Sequence, residues 1–146
     1  MSTRNRNLKT RPARAEQHVT AGPYSPVLEV DARRLVVISG QVAVALNGSI
    51  VGRTIHEQTI AALENCQRHL AAAGCDFGDV FKVNAYLSNL ADWEAFNEVY
   101  ASLFPPPMPV RTTVQAVLLP GFLIEIELWA AKPYNGVDPG ETHAGS

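Results

Sequence analysis

The sequence predicts one α/β domain, a mixed β-sheet carrying two helices on one face. Two observations carry this reading. A capped helical stripe and a second apolar helix are threaded between short runs rich in β-branched residues. The chain has 146 residues, enough for one sizeable core and too few for two.

Taken in order, residues 27–30 (VLEV) read as a short strand that ends in a turn at 31–33. Residues 35–39 (LVVIS) are too short for a helix and apolar on both faces, so they read as a buried strand stopping at Gly40. Asn47-Gly48 is a hairpin turn signal, with a short return strand at 49–51. Thr54 followed by Glu57 forms the capping-box pattern, in which the two side chains satisfy free backbone amides. Ile60, Leu63, Cys66 or Gln67, and Leu70 continue it as a helical stripe, and Gly74 supplies the left-handed stop. Residues 80–87 (VFKVNAYL) are a strand. A second helix over 92–104 buries Trp93, Phe96, Val99, Tyr100, Leu103 and Phe104, and Pro105-Pro106-Pro107 ends it. Strands at 110–117 and 123–131 follow, separated by a turn at Pro120-Gly121.

Two helices cover only one sheet face. Along the last strand Ile124, Ile126, Leu128 and Ala130 form one apolar face, while Leu123, Glu125, Glu127 and Trp129 share the other. A face bearing Leu and Trp is expected to be covered by another subunit, so the sequence predicts a homo-oligomer with sites at its seam.

The charge is uneven. Arg4, Arg6, Lys9, Arg11 and Arg14 crowd the first 14 residues, leaving 7 of the 12 basic residues against all 14 acids in the remainder. Residues 1–15 are expected to be a basic flexible arm, 16–134 the folded unit, and 135–146 a flexible tail. No apolar run approaches the ~20 residues of a membrane span, and the N-terminus lacks a signal-peptide core, so a cytoplasmic protein is expected. The net charge of -2 gives no general attraction to nucleic acid. Cys66 and Cys75 are too few for a disulfide framework, and Cys66 on the buried stripe reads as a small hydrophobe.

Motifs for several chemistries are absent. The four histidines have no metal-ligand spacing, and Cys66, His69 and Cys75 lack a fourth ligand, so no metal is expected. No nucleophile elbow, P-loop or dinucleotide fingerprint occurs. What stands out is polar residues in apolar places. Arg111 opens a strand after a Pro-rich turn, Glu125 sits within Leu-Ile-Glu-Ile-Glu-Leu-Trp, and Asn97 shares the buried stripe of the second helix. Gly22-Pro23-Tyr24-Ser25-Pro26 is a rigid turn presenting a phenol.

In order and spacing, Gly22-Pro23-Tyr24-Ser25, Ile38-Ser39-Gly40-Gln41, Asn97, Pro109-Val110-Arg111-Thr112-Thr113-Val114, Leu119-Pro120 and Ile124-Glu125-Ile126-Glu127 resemble the RidA/YjgF family of enamine/imine deaminases over about residues 17–132. The resemblance implies a chorismate-mutase-like fold, a homotrimer with clefts between subunits, and a last strand inside the sheet. It also implies hydrolysis of 2-aminoacrylate and 2-imino acids to 2-keto acids and ammonia, without metal or organic cofactor. By position, Arg111 would bind the substrate carboxylate with help from the Thr113 amide. Glu125 would hold the hydrolytic water and move protons, and Tyr24, Ser39 and Asn97 would line the cleft. Glu127, next in alternation, lies outside the motif's catalytic position. Thr113 stands where many members have Cys. The alternatives are the same chemistry on a larger unsaturated amino acid, a non-enzymatic ligand-binding or regulatory protein, and, disfavoured by the acidic body of the chain, an endoribonuclease or translation inhibitor.

Overall fold

A computed structural model describes residues 8–19 and 21–134. Its elements are β1 (Lys9–Thr10), β2 (Glu29–Val30), β3 (Leu35–Val42), α1 (Ile55–Ala72), β4 (Val80–Leu87), α2 (Trp93–Leu103), β5 (Val110–Gln115) and β6 (Ile124–Ala131). The main sheet has the order β3-β6-β4-β5. Only β4 and β5 run parallel. The last strand is thus internal, and β5 and β6, adjacent in sequence, do not pair.

The helix signals act as expected. The Thr54 side chain accepts from the Glu57 amide at 3.1 Å, and Gly74 ends the helix region at φ +76°. Ala62, Leu63, Cys66 and Leu70 are sealed from solvent, whereas Ile60 faces outward and Thr59 takes the buried position. The reason is polar anchoring on the same face. Gln58 donates to Gly52 O and Gly121 O and accepts from Leu123 N, while Asn65 donates to Val42 O and Val44 O. These bonds set the rotation of α1 and turn Ile60 away. Burial pushes the Cys66 thiol up to about 12, which keeps it protonated and inert.

Both helices pack on one face of the sheet. Ile124, Ile126, Leu128 and Ala130 are fully buried there with Val83, Ala85, Phe96 and Tyr100. The other face carries half-buried Asn84, Tyr86, Glu125, Glu127 and Trp129, with Leu35 and Val37 about 60% exposed.

The start of the chain departs from expectation. Residues 1–7 lie outside the described residues, but Leu8 and Lys9 are buried and β1 pairs with β2. The strand expected over 27–30 is correspondingly confined to its last two residues. Lys9 Nζ donates to Val80 O at 2.7 Å, and the Leu8 carbonyl accepts from Asp31 N. A basic composition predicted a flexible arm. One leucine and the long Lys9 stem, laid across the start of β4, suffice to dock these residues. Tail residues 135–146 lie outside the described residues.

Candidate active site

The turn before Arg111 and the turn around Tyr24 are joined. Ser25 N donates to Pro109 O, Ser25 Oγ donates to Met108 O, and Ser25 bridges Val110 in parallel register. This places the Tyr24 phenol beside the outer edge of β5. Gln17 Nε2 holds the Tyr24 carbonyl at 2.8 Å.

Arg111 points to the helix-covered face, opposite Val83 in register, and is 9% exposed. Its guanidinium carbon lies 5.3, 5.1, 5.0 and 4.8 Å from the ring centres of Tyr24, Trp93, Phe96 and Tyr100. Nη2 donates to Asn97 Oδ1 at 2.8 Å, and Nη1 is buried with no acceptor. Burial draws the Arg111 pKa down, with Tyr100 and Tyr24 opposing the shift. A guanidinium still remains charged at any biological pH. It therefore sits in an aromatic box with an unused donor, a setting that favours an incoming anion.

Thr113 shares that face, and its buried hydroxyl also has no partner. Pro109 O points to Ser25, away from β4, so alternation turns the amides of Arg111 and Thr113 toward the same outer edge. Gly22 closes the wall. A Cβ there would stand 3.2 Å from Arg111 Nη2, Trp93 Cζ2 and a Tyr24 ring carbon. A cavity of about 220 Å³ opens beside Tyr24, Ser25, Val110 and Arg111.

Glu125 is elsewhere. It pairs with Tyr86 and Val42 and faces the open side of the sheet. The register of β3 slips between Ile38 and Gln41, so Ser39 and Gly40 together oppose the single residue Glu127. Ile38 and Gln41 both pair with core-facing residues of β6, which leaves Ser39 and Gly40 on the Glu125 face. Glu127 is held by Tyr86 OH at 2.6 Å and Asn84 Nδ2 at 3.2 Å. This bond raises the Tyr86 pKa, with burial and the two glutamate charges adding to it.

The expected residues thus form two half-sites. Tyr24, Asn97, Arg111 and Thr113 meet at the β5 edge on the helix side, while Ser39 and Glu125 meet on the open side. In one chain these are separated by two strand spacings, about 10 Å, and by the thickness of the sheet. Sequence reasoning missed the Trp93, Phe96 and Tyr100 box, taking those rings as plain core. Their spacing around Asn97 was the available signal, since it puts all four on one helical face. Among the described residues no group of His, Cys, Asp or Glu is arranged to hold a metal, and no helix is long and apolar enough to cross a membrane.

Comparison with known proteins identifies the family. A family model described as endoribonuclease L-PSP matches residues 14–132. The chain is 43% identical over 115 residues to the mitochondrial protein mmf2 of Schizosaccharomyces pombe, covering 76% of this chain and 89% of that one. It is 38% identical over 113 residues to the 2-iminobutanoate/2-iminopropanoate deaminase of Mus musculus, covering 76% and 82%. Among solved structures, the Rid family protein YyfB of Yersinia pestis superposes with a TM-score of 0.72 at 28% identity, covering 85% of this chain and 98% of that one. With the family match running through both half-sites, the chain belongs to the endoribonuclease L-PSP family, the YjgF/RidA family that its arginine and glutamate strands resemble.

Proposed function

We propose that the protein hydrolyses small 2-imino acids, and the enamines that tautomerise to them, to 2-keto acids and ammonia. The observation that carries this reading is the buried Arg111 guanidinium, which has no carboxylate partner among the described residues and one unused donor. A substrate carboxylate supplies that partner, accepting charge-assisted hydrogen bonds from Nη1 and from the second N–H of Nη2, with the Thr113 amide and the aromatic walls holding it in place. Asn97 fixes the guanidinium plane, and Tyr24 caps the turn.

The reaction needs a proton on nitrogen and water on carbon. Glu125 accepts a proton from water as its oxygen attacks the iminium carbon. It then returns the proton to the amine of the tetrahedral adduct, and ammonia leaves and takes up the adduct's hydroxyl proton as the ketone forms. Iminium and water give keto acid and ammonium, and the carboxyl group ends as it began. No cofactor enters this sequence.

The half-sites meet only if a second copy brings Glu125 and Ser39 to the first copy's Arg111. The uncovered sheet face, with Leu35, Val37 and Trp129, supplies the surface for such packing. The reading therefore includes a homotrimer of chorismate-mutase-like arrangement with three clefts between subunits, in the cytoplasm. The deaminase name of the mouse relative supports the chemistry.

The test is ammonia and pyruvate release from freshly generated 2-iminopropanoate, together with sedimentation at micromolar concentration. The expected result is release well above the spontaneous rate, by a species of about three times 15.8 kDa. Cleavage of RNA without imine hydrolysis would assign the chain the endoribonuclease activity in its family's name instead.

A further inference from the structure

The geometry points to Gly40 as a positioning residue for Glu125: its missing side chain is the space in which the catalytic carboxylate lies. This inference rests on the deaminase reading above and adds a residue to it.

Glu125 pairs with Val42, so Gly40, two residues back on the same face, is its diagonal neighbour across β3 and β6. Diagonal neighbours are ordinarily within reach only of long side chains. Here the slip between Ile38 and Gln41 bends and twists β3 beside Glu125. The Glu125 side chain consequently lies over the Gly40 backbone. A methyl at Gly40 would stand 2.9 Å from Glu125 Cδ and 3.1 Å from Cγ, and would overlap Oε1 outright. Of the atoms near that position, the three closest all belong to this one side chain.

Two further facts separate this role from ordinary packing. The Gly40 backbone is not in the left-handed region, so an L-residue there carries no conformational strain. Gly40 is also exposed within the single chain, so a methyl there enters none of that chain's core. What yields is the free end of a flexible glutamate, which swings away by on the order of 1 Å, a displacement that costs a positioned catalyst about 10²-fold. A glycine inside a strand commonly marks such a close approach.

Gly40→Ala therefore acts as a displacement of Glu125 with the rest of the site in place. The half-site that grips the carboxylate, at Arg111, is untouched, so KM for 2-iminopropanoate is expected to stay within about twofold while kcat falls about 10–10²-fold. Glu125→Gln lowers kcat by itself, and Gly40→Ala added to it causes no further loss, because no positioned base remains to displace. Full kcat in Gly40→Ala, with Glu125→Gln impaired, overturns this inference and leaves the deaminase reading standing. Full kcat in Glu125→Gln overturns the deaminase mechanism and the inference with it. Additive losses in the double variant also overturn the positioning role. Should Gly40→Ala lower the melting temperature, the deficit is expected to vanish in a Glu125→Ala background, where the clashing atoms are gone. A deficit that persists there places the clash elsewhere and refutes the inference.

Discussion

Replacing Arg111 with Met should make the protein more stable and inactive. Arg111 is 9% exposed, and its guanidinium has no carboxylate against it among the described residues. Taking such an ion out of water costs several kcal/mol. Leaving Nη1 without an acceptor costs about 1–3 kcal/mol more. Against this stand one charge-assisted bond to Asn97, about 1.5–3 kcal/mol, and four ring contacts that share a single cation and together give about 2–4 kcal/mol. The sum is close to zero or unfavourable by a few kcal/mol. Methionine keeps the apolar stem against the same rings without desolvating a charge, and water can reach half-buried Asn97 in place of Nη2. A gain of about 1–2 kcal/mol follows, or roughly 2–8 °C in Tm. Function moves the other way. Losing two charge-assisted bonds to the substrate carboxylate, about 3–6 kcal/mol, lowers kcat/KM by about 10²–10⁴. Thermal unfolding with and without pyruvate reads both effects. Pyruvate at a hundredfold excess over its Kd should stabilise the natural protein by about 2.7 kcal/mol and leave the Met variant unchanged. A Tm that falls by several degrees in Arg111→Met would show that the guanidinium holds the fold together. Equal stabilisation of both proteins by pyruvate would put the carboxylate site elsewhere.

Three further outcomes are expected. Glu125→Gln should lower kcat on 2-iminopropanoate by about 10²–10⁴ while Glu127→Gln keeps it, and equal losses would point to the charge of the strand rather than a positioned group. Copies carrying Arg111→Met, unfolded and refolded with copies carrying Glu125→Gln, should recover about a quarter of the natural activity, since each cleft draws one half-site from each of two copies; a mixture as inactive as its parents refutes the shared cleft. Burial lowers the Lys9 pKa to about 8, with Asp79 and Asp76 opposing it. The unfolded chain then binds more protons between pH 8 and about 10.4, so stability should rise with pH across that window. Urea unfolding of Lys9→Met should lack this rise, and parallel curves for the two proteins would contradict the assignment.

Local signals carried much of the architecture. Thr54 and Glu57 start α1, Gly74 ends it, and the prolines at 105–107 follow α2 closely, because caps and breakers act over a few residues and owe nothing to distant contacts. The alternation of 124–130 predicted its buried face residue by residue. Signals that depend on a partner segment were weaker. Ile60 looked like core and is not, because Gln58 and Asn65 find backbone carbonyls that no local pattern announces. Leu8 and Lys9 looked like an arm and are packed, because β2 and the first carbonyl of β4 receive them.

By itself, then, the sequence determined which residues are polar in apolar settings and, through period and caps, which strand or helix each one occupies. Arg111, Asn97, Tyr24 and Glu125 could be named from the residues themselves, while Ser39 and Thr113 came only from the resemblance to the family. Only the tertiary structure decided which of them share a place. The order β3-β6-β4-β5 and the alternation of the pleat set Arg111 and Glu125 on opposite faces, about 10 Å apart along the sheet. Strand order is a property of long-range pairing, and the slip beside Gly40 is a property of two strands together. Neither is written in any one segment, because a strand's own sequence specifies its faces but not its neighbours.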